Sequence, residues 1–175
     1  MRKHNGMRPQ DIAILLKIIS INDPDWHLVK LSNALHISIS EISESLNRSR
    51  LAHLIDHKKK NVSRQSLMEF LEHGIRYVFP QEPGAVVRGI PTAHSHPTIR
   101  NNFVSEMVYV WPSSKGKIMG QMIEPLYAKQ VAAVDEDDMY YKLLSLVDLV
   151  RVGKVREINY AIKTLRKNIL NEPSR

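Results

Sequence analysis

The chain has 175 residues, 43% of them hydrophobic and 25% charged, which is enough for one large domain or two small ones with a hydrophobic core. It contains no cysteine, so disulfides, thiolate zinc sites and cysteine nucleophiles are excluded. The formal net charge of +7 favours polyanionic partners in general. Because the excess is spread over both halves of the chain, only local clusters of charge can locate a binding face.

Nothing in the sequence predicts a membrane partner. No apolar run is long enough to cross a bilayer. The basic start, residues 1–6, makes a poor signal peptide because Asp11 and Lys17 interrupt the apolar stretch that follows. Together with the lack of cysteine, this predicts a cytoplasmic protein.

A first helix is predicted from about residue 8 to residue 19. Pro9 is favoured in a first turn, and Asp11 suits the positive end of a helix. Residues 22–25 then predict a turn, after which Trp26 is expected to be a buried anchor.

Residues 31–46 have the spacing of two short helices joined by a three-residue turn. Leu31 and Leu35 lie one turn apart on the first helix, and Ile42 and Leu46 lie one turn apart on the second. Each helix therefore shows its partner an apolar edge. This arrangement is typical of a helix-turn-helix, which presents its second helix to DNA.

The second helix is predicted to begin near Ile39, because Ser38 followed by Glu41 is a capping-box pattern. Its outward face carries side chains able to bond phosphate oxygens or base edges. The residues predicted to contact DNA from this helix and its cap are Ser38, Ile39, Ser40, Ser43, Glu44, Asn47, Arg48 and Arg50.

Residues 28–55 resemble the DNA-binding segment of bacterial winged helix-turn-helix regulators, whose pattern is approximately Leu-Ala-x-x-Leu-Gly-Ile-Ser-x-Ser-Glu-Val-Ser-x-x-Leu. His36 stands where the family has its turn glycine, and Ser32 where it usually has alanine. Histidine is among the residues enriched at positive φ, so the turn is compatible with it. The resemblance implies that Ile39–Leu51 enters the major groove of double-stranded DNA. The alternative is an ordinary pair of amphipathic helices.

The loop at residues 56–61 lies where a wing would follow the second helix. Lys58, Lys59, Lys60 and Arg64 are predicted to neutralise phosphates beside the groove. The alternative is a lysine run that is simply solvated.

Four prolines and two glycines between Pro80 and Pro97 predict a domain boundary. We expect a winged helix-turn-helix domain at residues 1–80, a Pro-rich connector at 81–97, either flexible or packed down, and a C-terminal domain at 98–175. The C-terminal domain would serve dimerisation, effector sensing or partner binding. The predicted fold class is α+β and mainly helical.

In the C-terminal domain, residues 108–112 and 117–123 predict a β-hairpin, followed by two helices at Asp138–Val152 and Val155–Leu170. The last helix carries a narrow apolar seam, formed by Val155, Ile158, Ile162, Leu165 and Ile169. That seam can form a homodimer or pack inside its own chain.

Signals for metal or catalytic chemistry are weak. His94 and His96 could chelate a metal from an extended strand, but we expect them to line a surface or an interdomain groove. Residues 135–138 are four acids that could bind a cation, or form a solvated turn opposing a helix dipole. There is neither a phosphate-binding glycine loop nor a nucleophile elbow, so no enzyme activity, metal or cofactor is predicted.

These patterns predict a sequence-specific, repressor-like transcriptional regulator that binds double-stranded DNA as a homodimer. One alternative is a protein-interaction module, such as an autoregulating antitoxin that neutralises a neighbouring toxin through its C-terminal half. A nucleic-acid enzyme is the third alternative.

Overall fold

A computed structural model describes residues 6–171. The start of the chain, which the sequence predicts to be a poor signal peptide, lies for the most part outside the described residues. The fold is α+β and about 54% helical, which confirms the predicted class. The helices are α1 Pro9–Ile21, α2 Leu28–Leu35, α3 Ile39–Leu51, α4 Arg64–His73, α5 Ile75–Val78, α6 Gln130–Ala133, α7 Asp138–Val152 and α8 Val155–Leu170. The strands are β1 Val86–Pro91, β2 Tyr109–Pro112 and β3 Ile118–Met122.

The long helices begin and end close to their predicted positions because local signals set their ends. The Asp137 carboxylate accepts a hydrogen bond from the Tyr140 amide at 2.8 Å, which caps α7, and Gly153 follows its last residue. Pro9 is the first residue of α1, and the Asp11 carboxylate accepts the Arg8 amide at 2.8 Å. Each end satisfies backbone groups that a helix cannot pair internally.

One hydrophobic core runs through both halves of the chain. Helix α1 is buried over residues 11–19 because it contacts α3 and α7. The Tyr140 hydroxyl donates to the Ala13 carbonyl at 3.0 Å, and the Lys17 ammonium lies 2.7 Å from the Asp137 carboxylate. The boundary predicted at Pro80 therefore does not mark a break in packing.

The apolar seam of α8 packs inside its own chain, against α4 and α7. Ala161, Leu165 and Ile169 are fully buried there. The salt bridge between Arg166 and Glu72 fastens α8 to α4 beside these contacts. Of the seam residues, Leu165 and Ile169 pack inside the chain, whereas Val155 at the start of the helix is 76% exposed.

The positions of β2 and β3 match the predicted strands, but the predicted hairpin pairing is wrong. Both strands run antiparallel to β1 and therefore parallel to each other, and the sheet is closed because every strand pairs with the other two. Gly89 pairs with both Pro112 and Ile118. A Cβ on Gly116 would lie 2.2 Å from the Gly89 carbonyl oxygen, so only glycine allows the chain to turn so closely there.

The Pro-rich connector is packed down, and its two histidines, which were predicted to line a surface or an interdomain groove, are buried. It supplies β1, and His94 and His96 are buried just after that strand. The His94 ring lies with Nε2 2.7 Å from the Met107 carbonyl oxygen and Nδ1 3.0 Å from a Glu157 carboxylate oxygen. These contacts join the connector to α8 and to the loop before β2.

Between residues 6 and 171, no helix is both long enough and apolar enough to cross a membrane. Over the same range, no three histidine, aspartate or glutamate side chains are grouped as a metal would require.

Candidate nucleic-acid interface

Helices α2 and α3 are joined by a tight turn that has the predicted conformation. His36 has a φ of 55°, the left-handed conformation for which glycine is usual. The Ser32 hydroxyl donates to the Ile37 carbonyl at 2.6 Å, and the Ile37 side chain is buried between the helices. The backbone conformation of His36 and the contacts of Ser32 and Ile37 therefore together fix how α3 follows α2.

The cap of α3 forms in part as predicted. The Ser38 hydroxyl oxygen accepts a hydrogen bond from the Glu41 amide at 3.2 Å. The Glu41 carboxylate lies 3.4 Å from the same hydroxyl group, instead of accepting the Ser38 amide as a full capping box would. The cap still starts the helix at Ile39.

Helix α3 buries one face and leaves the other toward solvent. Ile42, Ser45, Leu46 and Ser49 lie inside. Of the predicted contact residues, Ser43 and Arg50 are half-buried. Those that are exposed are Ser38, Ile39, Ser40, Glu44 and Asn47.

Arg48 is not on the outward face, so its predicted role as a DNA contact is wrong. Its side chain turns inward and forms a bidentate salt bridge with Asp11, with Nε 2.9 Å from Oδ2 and Nη2 2.6 Å from Oδ1. The hydrogen bonds that Arg48 donates to the Asp11 carboxylate raise the pKa of Arg48 above its usual value. The buried guanidinium therefore serves to hold α3 against α1.

The loop after α3 is a small ordered hairpin. Ile55 and Val62 form an antiparallel bridge at its base. Inside the loop the Asp56 carboxylate accepts the Lys60 amide and the Asn61 side-chain amide, both at 2.8 Å. Desolvation raises the pKa of Asp56, but these hydrogen bonds outweigh it, so the pKa lies below its usual value. The loop is therefore organised around a carboxylate that stays ionised.

The three loop lysines have three different surroundings. Lys60 turns back onto Trp26: its ammonium donates to the Trp26 carbonyl at 2.6 Å and lies 4.7 Å from the centre of the indole ring. The Trp26 Nε1 in turn donates to the Lys60 carbonyl at 3.0 Å. Trp26 is buried, as predicted, and it anchors the hairpin. The Lys60 ammonium is thus bound to Trp26, whereas Lys58 is exposed.

Lys59 joins the hairpin to α3. Its ammonium lies 2.9 Å from the Oδ1 atom of Asn47, which is on the exposed side of the helix. Arg64 is also engaged: its Nη1 donates to the Ile169 carbonyl at the C-terminal end of α8, at 2.7 Å. Among the predicted phosphate contacts, Lys58 and Lys59 remain at the surface beside α3.

Negative and positive side chains occupy different parts of the surface formed by α3 and the hairpin. Glu41 and Glu44 occupy the first half of α3, and the lysines lie beside its second half. Asn47 sits where the two meet. A polyanion would therefore be attracted to the hairpin and the second half of α3, and repelled by the first turns of the helix.

A second polar cluster lies in the core and is saturated with hydrogen bonds. The buried Asp148 carboxylate accepts from the Thr92 hydroxyl at 2.8 Å, the Trp111 Nε1 at 2.6 Å and the Arg151 Nη1 at 3.0 Å. Desolvation raises the pKa of Asp148, against the opposing effect of Arg151. The Arg151 Nε donates to the Phe79 carbonyl at 2.9 Å. Because every group has its partner and no solvent reaches Asp148, we assign this cluster to the stability of the core.

Sequence reasoning missed the partners of Arg48, Lys59 and Lys60. Asp11 lies in the first turn of α1, so the sequence predicts only that it interacts with the positive end of that helix. Nothing in the sequence pairs it with Arg48, which is 37 positions away. The position of Trp26 just after a turn predicted a buried anchor, but it did not predict the contact with Lys60.

No protein-family model, curated protein or solved structure matches the chain.

Proposed function

We propose that this protein is a sequence-specific DNA-binding regulator of transcription that acts in the cytoplasm as a repressor-like homodimer. Helix α3 enters the major groove, and Ser40, Ser43 and Asn47 face the bases. Lys58 contacts the phosphate backbone. A homodimer is proposed because one such module binds weakly and two symmetric half-sites strengthen both affinity and specificity.

The observation that carries this proposal is the exposed polar side of α3 next to a lysine-bearing hairpin that is itself anchored. The helix is held from below by the Asp11–Arg48 salt bridge, and the hairpin by the contacts between Trp26 and Lys60. Such rigid support is what a groove-reading helix needs, because base recognition depends on positions held to within a fraction of an ångström.

The first test is the binding of labelled random duplexes at low and moderate salt, followed by selection of bound fragments from genomic DNA. We expect binding at low salt and an enriched sequence with two-fold symmetry. Replacing Ser43 with alanine should change the enriched sequence. A chain that binds no duplex at low salt would refute the proposal.

A matched pair of lysine variants tests the role of the hairpin. Lys58→Ala should weaken binding to all sequences and reduce the slope of log affinity against log salt concentration by about 1, because one phosphate contact is lost. Lys115→Ala removes another exposed lysine, from the turn between β2 and β3, and should leave both quantities unchanged. Equal effects of the two variants would show that the hairpin does not contact DNA.

A protein-interaction module, for instance an antitoxin, remains the second candidate because of exposed apolar side chains on the sheet. Val86 and Met119 lie on the same face of the β1–β3 pair and are more than half exposed, at 60% and 55%. Apolar side chains exposed together on one face of a sheet favour contact with another protein. Failure to bind any duplex, together with copurification of a defined protein, would favour this function over DNA binding.

A further inference from the structure

The hydrogen bond between Lys59 and Asn47 determines which atoms of the asparagine are available to a ligand. An ammonium group can only donate hydrogen bonds, so the amide atom that faces it at 2.9 Å is the oxygen, Oδ1. The Nδ2 amino group is therefore directed away from the lysine. The orientation of the Asn47 amide thus follows from the chemistry of its partner.

Lys59 is held in place by the hairpin that carries it. Its φ is 55°, and its amide donates to the Asp56 carbonyl at 2.9 Å. The next residue, Lys60, is fastened to Trp26. The ammonium consequently approaches Asn47 from a built loop, which lowers the conformational cost of the contact.

Seen from outside, the pair offers only hydrogen-bond donors. Nδ2 of Asn47 has two N–H groups, and the Lys59 ammonium has two N–H groups left after its bond to Oδ1. A second donor brought to Oδ1 from a ligand would meet the positively charged ammonium. The pair therefore complements a ligand edge that presents acceptors alone.

We propose that Asn47 and Lys59 act as one donor-only pair that selects guanine over adenine at the base pair they face. The major-groove edge of guanine presents two acceptors, N7 and O6, whereas adenine presents the acceptor N7 and the donor N6. An unpaired asparagine reads adenine by using both its amide atoms. Here the lysine occupies the oxygen and reverses that preference. This inference rests on the proposed function, because it assumes that α3 lies in the major groove.

The test compares Lys59→Met with Lys58→Met, which removes the same charge from the neighbouring position. Binding sites are selected from a random duplex library with the wild-type chain and both variants. We expect a guanine at one position of the wild-type site and of the Lys58→Met site. Lys59→Met frees Oδ1, so that position should shift toward adenine, changing the ratio of the two affinities on the order of tenfold.

A second measurement uses the unaltered protein and so does not depend on how the variants fold. Replacing the selected guanine with 7-deazaguanine removes the N7 acceptor, and should weaken binding by the wild-type chain on the order of tenfold. The same replacement should have little effect on the double variant Asn47→Ala with Lys59→Met, which carries neither donor.

Two results would overturn the inference while leaving the proposed function intact. If Lys59→Met weakens all sequences equally, as Lys58→Met does, Lys59 is a phosphate contact and plays no part in base selection. If the wild-type site shows adenine at the position that Asn47→Ala relaxes, the amide reads the base with both its atoms. Absence of binding to any duplex would instead refute the proposed function itself.

Discussion

Burial decides the protonation of individual side chains, and His96 is the clearest case. The ring is 3% exposed and packs edge-on against Tyr141, with ring centres 4.2 Å apart. Its Nδ1 accepts the Thr98 amide at 3.2 Å. Desolvation, with a smaller repulsion from Lys142, lowers the pKa of His96 from 6.5 to about 4. The folded protein therefore holds this imidazole neutral at pH 5, where the unfolded chain protonates it.

This depressed pKa predicts a loss of stability in acid. The contribution of His96 is present above about pH 6.5 and is lost as the pH falls toward 4, because over that range the unfolded chain binds the extra proton. The loss reaches about 3 kcal/mol. Urea denaturation at several pH values should show a flatter dependence for His96→Gln than for the wild-type chain. The control is Ser114→Ala, in the exposed turn between β2 and β3, which removes no titratable group and should keep the wild-type slope.

Helices α1 and α3 are joined by a charge pair that neither helix could form alone. Asp11 is completely buried and accepts hydrogen bonds from the Arg8 amide and from the Arg48 guanidinium. It therefore caps one helix and positions another. A buried charge that loses its partner is costly, so this contact is sensitive to single substitutions although the pair adds little net stability.

Asp11→Asn is expected to lower the free energy of unfolding by about 3 to 5 kcal/mol, because it leaves the Arg48 guanidinium buried without a counter-charge. The double variant Asp11→Leu with Arg48→Met should recover most of the loss. Asp23→Asn is the matched control: its salt bridge with Lys30 is exposed, so this substitution should cost much less stability than Asp11→Asn. Urea denaturation measures all three. Equal losses for Asp11→Asn and Asp23→Asn would contradict the assigned role.

At the scale of the whole molecule, the two halves of the chain share one core. Helix α1 lies between α3 and α7, and the end of α8 accepts a hydrogen bond from Arg64 at the start of α4. Helix α3 thus rests on α1, and α1 in turn rests on α7 in the C-terminal half.

The shared core predicts that the full chain unfolds in a single transition and that residues 1–80 do not fold alone. Without α7, the side chains of α1 that pack against it would be exposed to water. Circular dichroism during heating should show one transition for the full chain and no cooperative transition for the fragment. A fragment that melts cooperatively near the midpoint of the full chain would show that Pro80 separates independent domains.

Patterns confined to a few neighbouring residues were read correctly from the sequence. The ends of α7 and α8, the start of α3 and the left-handed turn at His36 follow from caps, helical periodicity and backbone preference. The candidate site could be predicted as a region in the same way. The helix-turn-helix spacing located α3, and the lysine run located the hairpin beside it.

The tertiary structure alone decided strand pairing and the partner of each polar side chain. β2 and β3 run parallel instead of forming a hairpin because both pair with β1, and Arg48 is buried because Asp11 lies beneath it. Contacts of this kind join residues as far as 127 positions apart, as between Ala13 and Tyr140. The sequence alone determines local conformation, since caps and periodicity act within a turn or two of the chain. Which polar group is buried and which one faces solvent depends on distant segments that only the folded core brings together.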